Sequence, residues 1–150
     1  MKRSLLKRSL AFALVMAALA VMTCASCAAA AKNTTLNVTV KNGTSKTISF
    51  AFAQVDASDE DVHTIKGWFN VSTSFNGKKI KPFDFDPDCE YYWYAISGKK
   101  VWSGKDFYGY IRHGKAFKSV NGKKLPSGKI VGFRPLKVSK SGKAIISFQP

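Results

Sequence analysis

Six times the sequence sets a small polar residue, a glycine and a lysine in a row. These are Asn76-Gly77-Lys78, Ser97-Gly98-Lys99, Ser103-Gly104-Lys105, Asn121-Gly122-Lys123, Ser127-Gly128-Lys129 and Ser141-Gly142-Lys143. A small polar residue followed by glycine is what tight hairpin loops require, because glycine reaches positive φ without steric cost. The runs between these turns alternate. Leu36, Val38 and Val40 share one face, while Thr35, Asn37, Thr39 and Lys41 share the other, the pattern of a half-buried strand. Ile48, Phe50 and Phe52 open the next run, with Ala51, Ala53 and Val55 on its opposite face, so that strand is expected to be covered on both sides. Ile65, Gly67, Phe69 and Val71 mark a third, and residues 91–96, 130–133 and 144–148 supply further apolar runs. Only His113 to Val120 reads as a short helix. Residues 32–150 are therefore expected to form a single all-β domain, an antiparallel β-sandwich or barrel-like fold with short hairpins. The turns are irregularly spaced, so they do not mark a structural repeat.

The chain has 150 residues, enough for one domain with its own core. Its start reads differently. Lys2, Arg3, Lys7 and Arg8 precede an uncharged stretch from Ser9 to Ala31, within which residues 10–22 are all apolar. That run has the length of a signal-peptide hydrophobic region and is short for a membrane span. Ala28-Ala29-Ala30 and Ala29-Ala30-Ala31 both offer the small-x-small pattern of signal peptidase, so residues 1–31 are expected to be a cleaved export signal. Two rivals are an uncleaved membrane anchor and a lipoprotein modified at Cys27. The expected location is periplasmic or extracellular, with membrane attachment only through an uncleaved or lipidated leader. Cys24 and Cys27 lie in this leader without His or Cys partners nearby, which argues against a zinc or thioredoxin motif. Cys89 is the one cysteine of the mature chain; no internal disulfide is available to it, and burial beside the aromatic run is expected.

The aromatic segments have a recognisable order. Gly67-Trp68-Phe69-Asn70-Val71 is followed by Tyr91-Tyr92-Trp93-Tyr94-Ala95, then Val101-Trp102-Ser103-Gly104, with Phe117 and Val131-Gly132-Phe133 towards the end. This succession resembles the bacterial domain-of-unknown-function family 1036, over roughly Leu36 to Phe148. The resemblance implies an exported bacterial domain and brings no mechanism with it. Members often carry further cysteines, and this chain keeps one in the matching region.

Chemistry-bearing patterns are few. Asp84, Asp86, Asp88 and Glu90 alternate and are weak candidates for calcium, which takes six to eight oxygens. The calcium-loop pattern wants glycine where Cys89 stands, and Pro87 interrupts any regular strand. A solvated acidic edge is the simpler account. Gly109 to Ala116 nearly spells a phosphate-binding loop, but Ala116 replaces the hydroxyl that would ligate magnesium. His63 and His113 are the only histidines, and neither sits in a metalloprotease or triad pattern. Asn33, Asn37, Asn42 and Asn70 begin Asn-x-Ser/Thr sequons, read as ordinary polar positions in a bacterial chain. No catalytic constellation is identifiable, so the expectation is a non-enzyme without a cofactor.

Charge and aromatic residues together suggest a surface. The net charge is +15, with 24 basic and nine acidic side chains. Four of the cations leave with the leader. Residues 32–90 hold seven basic and eight acidic side chains, whereas residues 91–150 hold thirteen and one. Much of that excess sits in Gly-Lys turns, where lysine discourages edge-to-edge sheet pairing. The expected function is a non-catalytic binding module at the cell envelope or outside it, for an anionic glycan or envelope polymer. Its candidate surface is Trp68, Tyr92, Tyr94 and Trp102 with Lys99, Lys100 and Lys105, joining stacking to positive charge. The alternatives are a small secreted hydrolase using the 84–90 acids or His113, and a structural or assembly subunit of the envelope. Nucleic acid is disfavoured as a partner by export.

Overall fold

The structure is a computed structural model that describes residues 34–73 and 75–149; the leader and its cysteines lie outside them. Ten strands succeed one another: β1 (Asn37–Asn42), β2 (Ile48–Asp56), β3 (His63–Val71), β4 (Phe75–Ile80), β5 (Cys89–Ser97), β6 (Lys100–Trp102), β7 (Phe107–Arg112), β8 (Phe117–Val120), β9 (Gly128–Pro135) and β10 (Lys143–Phe148). The described residues contain no helix. The fold is all-β, as the alternation implies.

Two sheets share the strands. One has three, in the order β10-β1-β4; the other has seven, ordered β7-β9-β5-β2-β3-β8, with β6 also paired to β5. The large sheet is antiparallel throughout. It curls until its end strands β7 and β8 approach each other, giving a nearly closed barrel. The Trp68 indole N–H, donating to the Arg112 carbonyl at 2.7 Å, spans the gap between β3 and the end of β7.

Curling one sheet and laying a second against it creates two apolar cores. Inside the barrel lie Ala51, Ala53, Val55, Ile65, Tyr92, Tyr94, Phe107, Ile111 and Phe133. Between the sheets lie Leu36, Val38, Val40, Ile48, Phe50, Phe52, Val71, Tyr91, Ala95, Ile146 and Phe148, among others. The period-2 geometry of a strand sends alternate residues of β2 and β5 into different cores. β2 is thus covered on both faces, as its two apolar stripes foretell. β3 achieves the same by another route. Phe50 pairs with Phe69 and Ala51 with Gly67, which leaves Trp68 as an extra residue in a β-bulge. The bulge inverts the parity of the strand. Ile65 therefore faces the barrel, whereas Phe69 and Val71 face the inter-sheet core.

Asn42 ties the small sheet to its neighbours. It is buried, its amide donates to the carbonyls of Lys46, Val71 and Ser72, and its oxygen accepts from the Thr44 backbone and hydroxyl.

Three sequence expectations need correction. Residues 117–120 of the expected helix form strand β8, paired with β3, because Phe117 fills the barrel wall beside Trp68 at 5.7 Å between rings. Asn76-Gly77-Lys78 lies within β4, where a register shift against β1 makes a bulge instead of a hairpin turn. The β1–β10 pair is parallel, since the chain returns to the small sheet only after completing the large one. The hairpin reading holds at residues 97–100. Ser97 pairs with Lys100 across the two-residue loop Gly98-Lys99, and Gly98 has φ +57°, the signature of a type II′ turn.

Candidate functional site

The β5–β6 hairpin delivers three expected residues to one place. Lys99 and Lys100 stand at its tip and Trp102 closes the short strand. Antiparallel pairing of β2 with β5 sets Ser49 opposite Ile96, so the segment preceding β2 converges on the same spot. The result is a cleft of about 1080 Å³ lined by Thr44, Ser45, Lys46, Thr73, Ser97 and Trp102, with Lys99 and Lys100. Among the described residues, three ammonium groups border it and no carboxylate lines it. The Lys100 ammonium lies 5.1 Å from the centre of the Trp102 ring. Phe148 meets that ring edge-on at 4.8 Å and holds it in place. A half-buried indole fixed by packing, with a cation over it, presents a stacking plate inside a positive field.

Trp102 also lines a second cleft, of about 340 Å³, with Trp93, Arg134, Pro135, Ile146, Ser147 and Phe148. There the Arg134 guanidinium lies 5.4 Å from the Trp93 ring. Lys46, Trp93 and Arg134 were not singled out from the sequence. The signal that could have found Lys46 is the strand register, since hairpin tips on adjacent antiparallel strands meet. Trp93 and Arg134 pair directly across β5 and β9, a long-range match that alternation does not reveal.

The rest of the expected surface is divided by the fold. Tyr92 and Tyr94 point into the barrel and are only 9% and 5% exposed. The barrel interior needs large side chains to fill it, so these rings form core and no open platform. The Tyr92 hydroxyl donates a short hydrogen bond to the Glu90 carboxylate. Burial, with Glu90 adding to it, pushes the Tyr92 phenol up to about 12; burial likewise raises Tyr94. Trp68 sits at a different opening, stacked on His113 at 6.2 Å, in a cleft of about 420 Å³ with Ser49, Asn70, Ile96 and Lys115. Lys105 is exposed on the loop before β7 and lines neither Trp102 cleft.

Two of the four expected acidic residues are engaged locally. Asp84, Asp86, Asp88 and Glu90 are all exposed. An Asp86 carboxylate oxygen accepts the Asp88 N–H at 3.0 Å, and Glu90 takes Tyr92. Among the described residues no three His, Cys, Asp or Glu side chains gather closely enough to hold a metal ion. Cys89 is half-buried instead of sealed in the core. Its thiol is held above the ordinary value by burial and then by the nearby Asp86 charge, opposite to the activation of a nucleophilic cysteine. His63 faces the same side of the molecule, with Nδ1 bonded to the Glu60 carbonyl and Nε2 accepting from Gly122 N–H. Both its nitrogens are engaged in holding turns.

No family model, no curated protein and no solved structure matches the chain in the comparisons made with each.

Proposed function

We propose that the protein is a non-catalytic binding module, exported to the envelope or beyond, that takes an anionic glycan or phosphorylated polymer in the lysine cleft beside Trp102. The observation that carries this reading is the cleft itself. Lys46, Lys99 and Lys100 line it with a packed indole, and no carboxylate is among its described lining residues. A sugar ring stacks on an indole face, and carboxylate or phosphate groups along a polymer meet ammonium groups spaced around it. The basic, uncharged and small-residue sequence of residues 1–31 supports export, and the order of aromatic segments supports kinship with family 1036.

The test measures binding of three probes to the full chain: polygalacturonate, poly(glycerol phosphate), and uncharged dextran as a control. Trp102→Ala is expected to weaken binding of the charged polymers by about tenfold, from the loss of one stacking and cation–π contact. The double variant Lys99→Ala/Lys100→Ala, at exposed positions, should weaken it comparably and leave the circular dichroism unchanged. Parental affinity for every polymer in a folded double variant would overturn the assignment.

A further inference from the structure

The last strand of any open sheet carries a row of unpaired N–H and C=O groups, which natural chains blunt with lysines, bulges or brevity. β7 and β8 turn towards each other as the barrel nears closure. Three other strands have a free side among the described residues: β4, β6 and β10. Two are blunted. β4 carries Lys78 and Lys79 and a bulge at its start. β6 is three residues long and begins with Lys100.

β10 has only a lysine at its first residue, Lys143. Its register with β1 is unbroken over six residues, and between Lys143 and Phe148 it contains no charge and no proline. The direction of its backbone groups follows from the bonds at both ends. Asn37 N–H donates to the Gly142 carbonyl and Gly43 N–H to the Phe148 carbonyl, so even-numbered residues of β10 face β1. Lys143, an odd one, instead bonds outward, accepting from Ser139 N–H and donating to its hydroxyl. Ile145 and Ser147 therefore direct N–H and C=O away from the sheet. Ile145 is also 67% exposed, an apolar side chain next to that open row.

The smaller cleft adjoins this strand, lined by Ser147 together with Trp93, Trp102, Arg134 and Pro135. Its volume, about 340 Å³, suits one or two side chains. Among the described residues no acid lines it, and the Arg134 guanidinium over Trp93 is its charged group. An added strand gains affinity from main-chain hydrogen bonds and selectivity from pockets that take alternate side chains. Both elements meet here.

We infer that the free edge of β10 receives an extended segment of a partner protein as an additional strand, with an acidic side chain of that segment reaching Arg134. Charge selects this occupant. Residues 91–150, which include β10 and all the lining of this cleft among the described residues, carry thirteen cations against one acid, so an acidic segment is attracted where the same edge of a second copy is repelled.

The probe is a synthetic peptide of about ten residues alternating valine with glutamate, long enough to cover a strand. It is compared with a lysine-for-glutamate version and with one N-methylated at every second residue. Amide hydrogen exchange on the full chain reads the site. The acidic peptide is expected to slow exchange at Ile145 and Ser147, and the other two are expected to leave it unchanged. Ile145→Pro removes an outward N–H without touching the β1 ladder, a position where an edge strand tolerates proline. It should weaken the acidic peptide about tenfold while polygalacturonate binding at the lysine cleft stays at parental strength. Unchanged exchange at Ile145 and Ser147, equal binding of the lysine peptide, or full affinity in a folded Ile145→Pro variant would each overturn the inference. So would a dimer by sedimentation that protects the same amides without peptide. Because Ile145 does not line the larger cleft, failure here leaves the polymer reading intact.

Discussion

Tyr92 shows how one side chain links the barrel core to pH. Its ring packs at 5.4 Å from Phe107 inside the barrel, while its hydroxyl reaches the Glu90 carboxylate at the rim. Burial disfavours the ionised phenol, and the Glu90 carboxylate beside it adds to this, which is why its pKa moves from 10.0 to about 12. The folded chain then holds this proton more tightly than the unfolded chain does. Linkage fixes the sign: the associated stability is fully present below pH 10 and is lost as pH rises from 10 to about 12. Tyr91 and Tyr94 are shifted in the same direction, chiefly by burial. Denaturant titrations across this range should show stability falling with pH, and Tyr92→Phe should make the fall shallower. Tyrosinate absorbance of the folded chain should also rise at higher pH than that of the same chain unfolded.

Among the strands, the glycines serve several different needs. Gly98 occupies a positive-φ turn position with nothing within 4 Å of where a Cβ would stand. Gly132 instead lies in β9 under the chain at Gly104, and a Cβ there would come within 1.9 Å of the Gly104 carbonyl oxygen. Backbone cannot move aside as a side chain can. Gly98→Ala is therefore expected to cost about 1 kcal/mol, and Gly132→Ala about 3 kcal/mol or more, both read as shifts in the urea midpoint at constant slope. Period-2 alternation made β1, β2 and β5 legible in the sequence because their side chains alternate between two environments. It could not reveal β8, where Phe117 and Ser119 fill a wall set by β3. Nor could it show the bulge at Trp68, which needs the partner strand to be seen. The candidate site was legible at Lys99, Lys100 and Trp102, which are neighbours along one hairpin. Tyr92 and Tyr94 could have faced either way until barrel closure assigned them to the interior.

At the scale of the whole domain, charge is arranged by strand direction. β2 and β5 are each nine residues long and antiparallel, so they share two ends on the order of 30 Å apart. Eight of the nine acids fall in residues 56–61 and 84–90, and both segments meet at one end, where Asp56 pairs with Cys89. Lys46, Lys99 and Lys100 gather at the other. Several screening lengths separate the poles at physiological salt. The logarithm of polygalacturonate affinity should fall with the logarithm of salt concentration, and each lysine removed at positions 99 and 100 should reduce that slope by about 1. Asp84→Asn/Asp88→Asn at the far pole should leave the slope unchanged. The same two strands have a further consequence, because each is a wall common to both cores. Phe50 and Phe52 press on one side of the backbone that carries Ala51 and Ala53 on the other. A displacement that relieves crowding in one chamber must crowd its neighbour. The barrel and the small sheet are therefore expected to lose their order in one transition, read as coincident urea midpoints for amides of β7 and β10.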